Sequence, residues 1–209
     1  MLINIYTQLC ILSDILRGVV MKVKKEDRRV KYTKMVLKKS LINLLSKKDI
    51  SSITIKQICE DADINRATFY THYTDQFDLL RKIENEFLEN VKVYISQFKL
   101  RKADAALVEM MEKIFEYIKD NADLCKLLLS KQGNLEFQKR IMMLIYDSNI
   151  IVKPGESLKK GEEEYMYAFI ITGCVGVIHN WLDEGMKQSS RMMANTIFNV
   201  VRSLPITFE

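Results

Sequence analysis

Two prolines and seven glycines among 209 residues are too few to supply the turns of a strand-rich protein. With 48% hydrophobic residues as well, the composition favours long helices around a sizeable core, and the expected fold class is all-α. Histidine is also scarce: His72 and His179 are too far apart to suggest a metal site. Cys10, Cys59, Cys125 and Cys174 are widely spaced, with no CxxC pair and no Cys/His cluster. That spacing suggests neither zinc nor a disulfide framework, and it fits reduced thiols in a cytoplasm. No carboxylate pair, Cys/His arrangement or phosphate-cradling glycine loop is visible, so no enzyme, cofactor or metal is expected.

Two apolar segments raise other questions. The run YMYAFIITGCVGVIHNWL (165–182) is long enough to pose a transmembrane question. Thr172, His179 and Asn180 interrupt it and acidic residues flank it, so it reads as a buried interface helix and no membrane partner is expected. Residues 1–20 lack the basic start of a signal peptide, and Asp14 and Arg17 break them. Either Met21 is the natural start or these residues form an extra amphipathic helix. Residues 1–27 are therefore set apart as an extra N-terminal segment with a basic arm.

The charge that is present is unevenly placed. Between Met21 and Lys48, eleven lysines and arginines face only Glu26 and Asp27. Met35, Leu37, Leu41, Leu44 and Leu45 recur at helical spacing there, which predicts one amphipathic helix over 32–47 with a basic surface. Thr54 followed by Gln57 is a capping-box pattern and predicts a short helix ending near Ala62. Asp63 falls where the chain needs a left-handed residue, which Asp tolerates through local hydrogen bonds. Asn65 can cap the next helix, 66–72. Asp75 or Thr74 caps one running from Gln76 toward Lys99. Two short helices joined by a tight turn behind a longer basic helix make a helix-turn-helix, whose second helix enters a major groove.

The run SSITIKQICEDADINRATFYTHYTDQFDLL (51–80) resembles the DNA-binding domain of TetR-type transcriptional regulators, and the likeness extends over about residues 30–82. The resemblance implies a helix-turn-helix domain over 28–75 and a helical effector-binding and dimerisation domain over 76–209. The family's usual turn glycine is Asp63 here. Its usual phosphate-gripping lysine at the start of the fourth helix is Gln76, so one backbone contact is weakened. The second half bears a weaker likeness to regulators of dihydroxyacetone-kinase operons. It is expected to form helices over 103–121, 122–133, 135–151, 162–186 and 190–203.

On the second short helix, Phe69 and Tyr73 are four apart and predict a core face. Arg66, Ala67 and Tyr70 lie opposite, flanked by Thr68, Thr71 and His72. A guanidinium can bond a guanine and a methyl can approach a thymine. Thr68, Tyr70 and His72 can bond phosphates, which fixes register. Thr54 and Lys56, at the start of the preceding helix, are expected to meet the DNA backbone. One such helix offers about two base contacts of roughly 1–3 kcal/mol each. Specific recognition needs about 4–10 kcal/mol, so two copies on a palindromic operator are expected.

The homodimer interface is placed on Phe169, Gly173, Gly176, Val177, Asn180 and Trp181 of one late helix and on Ile197 and Val201 of the last. Met110, Met111, Phe115, Tyr117, Leu128, Met142, Met143, Tyr146 and Tyr167 form either plain core or an effector cavity, and no ligand residue is assigned. The expected function is a ligand-responsive repressor binding double-stranded DNA. The alternative is a co-activator or interaction protein whose helical domain docks a partner protein.

Overall fold

A computed structural model describes residues 28–98, 104–129, 135–148 and 162–203. All regular structure among these residues is helical. The predicted first helix, α1, spans Arg28–Leu45, beginning four residues before the predicted start. Leu37 and Leu41 are fully buried, and Ser40 Oγ donates to the Ile58 carbonyl at 3.0 Å, binding α1 to the helix behind it. Met35 stands more than half exposed rather than in the apolar face assigned to it.

A 3-10 turn at Ile50–Ser52 leads into α2, Ile55–Ala62. The capping box forms as the pattern predicts: Thr54 Oγ1 accepts from the Gln57 amide, and the Gln57 side chain accepts from the Thr54 amide. Asp63 takes the left-handed conformation (φ 52°, ψ 46°), and the Ile64 amide returns to the Cys59 carbonyl at 2.9 Å, closing the helix end. Asn65 Oδ1 accepts from the Ala67 amide at 2.8 Å and caps α3, Arg66–Tyr70. Asp75 accepts from the Asp78 amide at 2.7 Å and caps α4, Gln76–Phe98.

The remaining helices are α5 (Asp104–Asp120), α6 (Ala122–Leu128), α7 (Leu135–Asp147), α8 (Glu162–Asp183) and α9 (Ser190–Ser203). Helix α6 stops at Leu128. The end expected for that helix at residue 133, and residues 1–27 with their basic arm, lie outside the described residues. Helix α9 packs along α5, held at its two ends by Arg191 on Glu112 (2.7 Å) and by Arg202 on Asp104. Just past the end of α8, the left-handed φ of Gly185 (79°) lets the Met186 amide reach the Trp181 carbonyl at 2.8 Å.

One connected apolar core runs from Leu37 and Phe69 through Phe87 and Phe115 to Trp181 and Val201. Helix α1 touches both α4 and α6, so the small N-terminal unit is packed onto the larger helical body. Among the described residues, no helix is long and apolar enough to cross a membrane, and no group of His, Cys, Asp and Glu could hold a metal ion. Cys59 and Cys125 are buried free thiols and Cys174 is half-buried. Burial pushes the Cys125 thiol up to about 12.

Candidate nucleic-acid interface

Helix α3 is oriented by what it buries. Phe69 has no exposed surface and Tyr73, just beyond the helix, is 7% exposed. Their rings pack at 5.5 Å between centroids. With that side fixed to α1 and α2, the opposite side faces water: Arg66, Ala67 and Tyr70 are all exposed, Tyr70 at 58%. Tyr70 stands edge-on to Phe69 at 5.7 Å between centroids. Thr68 and His72 are half-buried on the flanks. Thr71 is exposed, but its hydroxyl already donates to the Thr68 carbonyl at 2.7 Å. It can therefore accept a hydrogen bond more readily than give one to a phosphate.

Thr54 and Lys56 are exposed at the N-terminal end of α2, and Lys56 Nζ lies 3.7 Å from Glu60 in a surface pair. Lys48 Nζ donates to Gln57 Oε1 at 2.8 Å, so a lysine from the preceding turn steadies the capping glutamine. Guanidinium, ammonium, phenol and hydroxyl groups thus crowd one solvent-facing side of α2 and α3. That combination of donors suits phosphate oxygens and groove edges.

A second set of residues holds this side in place, and sequence reading did not single it out. Asp78 Oδ1 accepts from Arg81 Nη2 at 2.9 Å. Its Oδ2 accepts from Lys82 Nζ at 3.0 Å and from the Thr74 amide at 3.2 Å. These bonds, Lys82 first, then Arg81 and the Thr74 amide, hold the carboxyl down at about 2. Lys82 Nζ also donates to the His72 carbonyl at 2.8 Å and stands 5.0 Å over the Tyr73 ring. The first turn of α4 therefore grips the segment that follows α3. The i, i+3 and i, i+4 charge spacing was visible in the sequence; the carbonyl it reaches was not.

The residues assigned to a subunit interface divide in two. Phe169 (68% exposed), Gly173, Gly176, Val177 (39%) and Asn180 share one solvent-facing stripe of α8. A Cβ added at Gly173 or Gly176 would meet nothing within 4 Å. Trp181, Ile197 and Val201 are instead buried inside the chain. The Trp181 ring packs edge-on against Phe115 and its Nε1 donates to the Gln188 carbonyl at 2.9 Å. They shape α8 and α9 from behind and offer a partner no open surface.

Of the methionine and aromatic stripe, Met110, Met111 and Phe115 line a cavity in the helical body. Leu128 is core, and the Tyr117 hydroxyl accepts from Asn90 at 3.0 Å. Met143 is 64% exposed, and the side chains of Met142, Tyr146 and Tyr167 lie outside the described residues.

Residues 106–203 match a TetR-type family model described as a transcriptional regulator C-terminal region. The chain is 33% identical over 100 residues to the HTH-type transcriptional regulator YxbF of Bacillus subtilis (strain 168). That match takes in 44% of this chain and 26% of YxbF, so the chain spans about a quarter of that relative's length. Its fold is similar to a TetR transcriptional regulator from Streptococcus agalactiae 2603V, with a TM-score of 0.57 and 23% identity over 84% of this chain and 97% of that one. It is also similar to FadR from Bacillus subtilis in complex with stearoyl-CoA, with a TM-score of 0.56 and 17% identity over 81% and 97%. At these identities the solved structures speak for the fold alone.

Proposed function

We propose that the chain is a transcriptional regulator of TetR type, in keeping with the family model matched by residues 106–203, and that it binds a palindromic operator in the cytoplasm as a homodimer and represses transcription until an effector loosens it. The observation that carries this reading is the orientation of α3. Phe69 is wholly buried and its neighbours Arg66 and Tyr70 are exposed. A helix spending its aromatic residue on anchorage while turning a guanidinium and a phenol outward is built to meet something polar outside the chain. In this reading Arg66 and Ala67 read base edges, while Thr54, Lys56, Thr68, Tyr70 and His72 fix the register on phosphates. Thr71 contributes as a spacer and acceptor.

The subunit contact is assigned to the α8 stripe of Phe169, Gly173, Gly176, Val177 and Asn180. A glycine inside a helix costs about 0.5–1 kcal/mol relative to alanine. None of the described residues requires the absence of a Cβ at Gly173 or Gly176, so close approach of a second copy is the use this reading gives them.

Selection of bound oligonucleotides from a random pool tests the proposal. The expected product is a two-fold symmetric consensus whose half-sites lie about one helical turn or more apart. An asymmetric consensus would remove the homodimer. Failure to enrich any sequence, while the chain captures a partner protein in one-to-one amount, would replace operator binding with protein docking.

A further inference from the structure

The following rests on the reading of the chain as an effector-responsive regulator, and names the chemical class of the effector. Residues of α4, α5, α7, α8 and α9 line a partly open cavity of about 180 Å³. Its wall includes Phe87, Val91, Met111, Ile114, Ile171 and Val175, and no polar atom of the described residues lines it. The Cys174 thiol is the least apolar group there, and burial pushes it up to about 11. That is what a dry surrounding does to a thiol.

Protein interiors seldom leave voids larger than a water molecule, and an empty one costs stability. A charged or strongly polar group entering this cavity would give up its water hydrogen bonds and find no replacement. A hydrocarbon gives up nothing and buries apolar surface. The size narrows the class further. An apolar cavity of about 150 Å³ takes one benzene ring, so this one has room for roughly six to eight carbons of a flexible chain.

We propose that the cavity binds the apolar end of the effector, an aliphatic chain of about six to eight carbons, with any polar head group outside the wall. Phe87 and Val91, which such a chain would touch, belong to the helix whose Lys82 grips the His72 carbonyl. An occupant therefore contacts the element that carries the outward-facing groups of α3.

The test is calorimetric titration of the full chain with straight-chain 1-alkanols of about four to twelve carbons, and with the matching carboxylates, run beside operator binding. Each added methylene is expected to tighten alkanol binding about fourfold until roughly eight carbons, with no gain beyond. Carboxylates of the shorter lengths should bind at least about tenfold more weakly than the alkanols. Val175→Phe should bring the plateau to shorter chains and Val175→Ala should extend it, so one variant suffices if the other fails to fold. Absence of binding, equal binding of short carboxylates, or a plateau that neither variant moves would overturn the assignment while operator recognition stood. Alkanol binding that leaves operator affinity unchanged would uphold the cavity's chemistry and overturn the effector reading.

Discussion

Replacing Asp78 with asparagine keeps the shape of the side chain and removes the charge that Arg81 and Lys82 share. The carboxyl is 9% exposed and is held from its ordinary 3.8 down to about 2. Because the folded form binds its proton more weakly than the unfolded chain does, the stabilisation is complete above about pH 5 and fades as the pH falls through about 4 toward 2. Taken whole, that displacement corresponds to about 2 kcal/mol. Arg81 and Lys82, however, are 64% and 51% exposed, and water screening reduces the expected contribution to about 1 kcal/mol. Urea unfolding followed by far-ultraviolet circular dichroism should therefore place Asp78→Asn about 1 kcal/mol below the parent near pH 7. The gap should have roughly halved by about pH 3. A gap of the same size at both pH values would refute the reasoning, since only the charge titrates and the shape does not.

Arg66→Ala should relax sequence preference and cost about 1–3 kcal/mol per half-site on the best operator, whereas Tyr70→Ala should weaken specific and random DNA about equally; gel-shift titrations over a range of salt distinguish the two. Gly176→Ala should raise the unfolding free energy of the isolated subunit by about 0.5–1 kcal/mol yet weaken self-association in analytical ultracentrifugation. A variant that is more stable and equally dimeric would take α8 out of the interface. Phe169→Glu should yield monomers with undiminished helicity, because the ring is already open to solvent. Asp63→Gly should be neutral or stabilising by up to about 1 kcal/mol in a thermal melt, and Asp63→Val should be destabilising by about 1–2 kcal/mol, since only the former relieves the left-handed backbone.

What the sequence made legible was local. Thr54 with Gln57, Asp63 and Asn65 each act over two to five residues, and the turn they build follows from short-range hydrogen bonds alone. The alternation of Phe69 and Tyr73 with Arg66 and Tyr70 could be read because α3 has both apolar and polar sides. Helix α8 defeats the same method. It is apolar nearly all round, so periodicity could not tell that Trp181 faces inward to Phe115 while Phe169, three turns earlier, faces water. Ile197 and Val201 were likewise visible as one side of α9, but not that α5 covers that side. The bond from Lys82 to the His72 carbonyl joins positions ten apart across a turn, and no pattern marks a carbonyl as a target.

Helix α4 has 23 residues, which at 1.5 Å each make a rod about 34 Å long. Near its start Lys82 is clamped to the end of the outward-facing segment, and Phe87, Val91 and Ile95 along its length form part of the cavity wall. A rod of that length is a lever: pivoting it by about 5° swings its tip by about 3 Å. In the proposed homodimer, a change in the wall too small to alter the fold is therefore multiplied along α4 into a shift of the two outward-facing segments relative to each other.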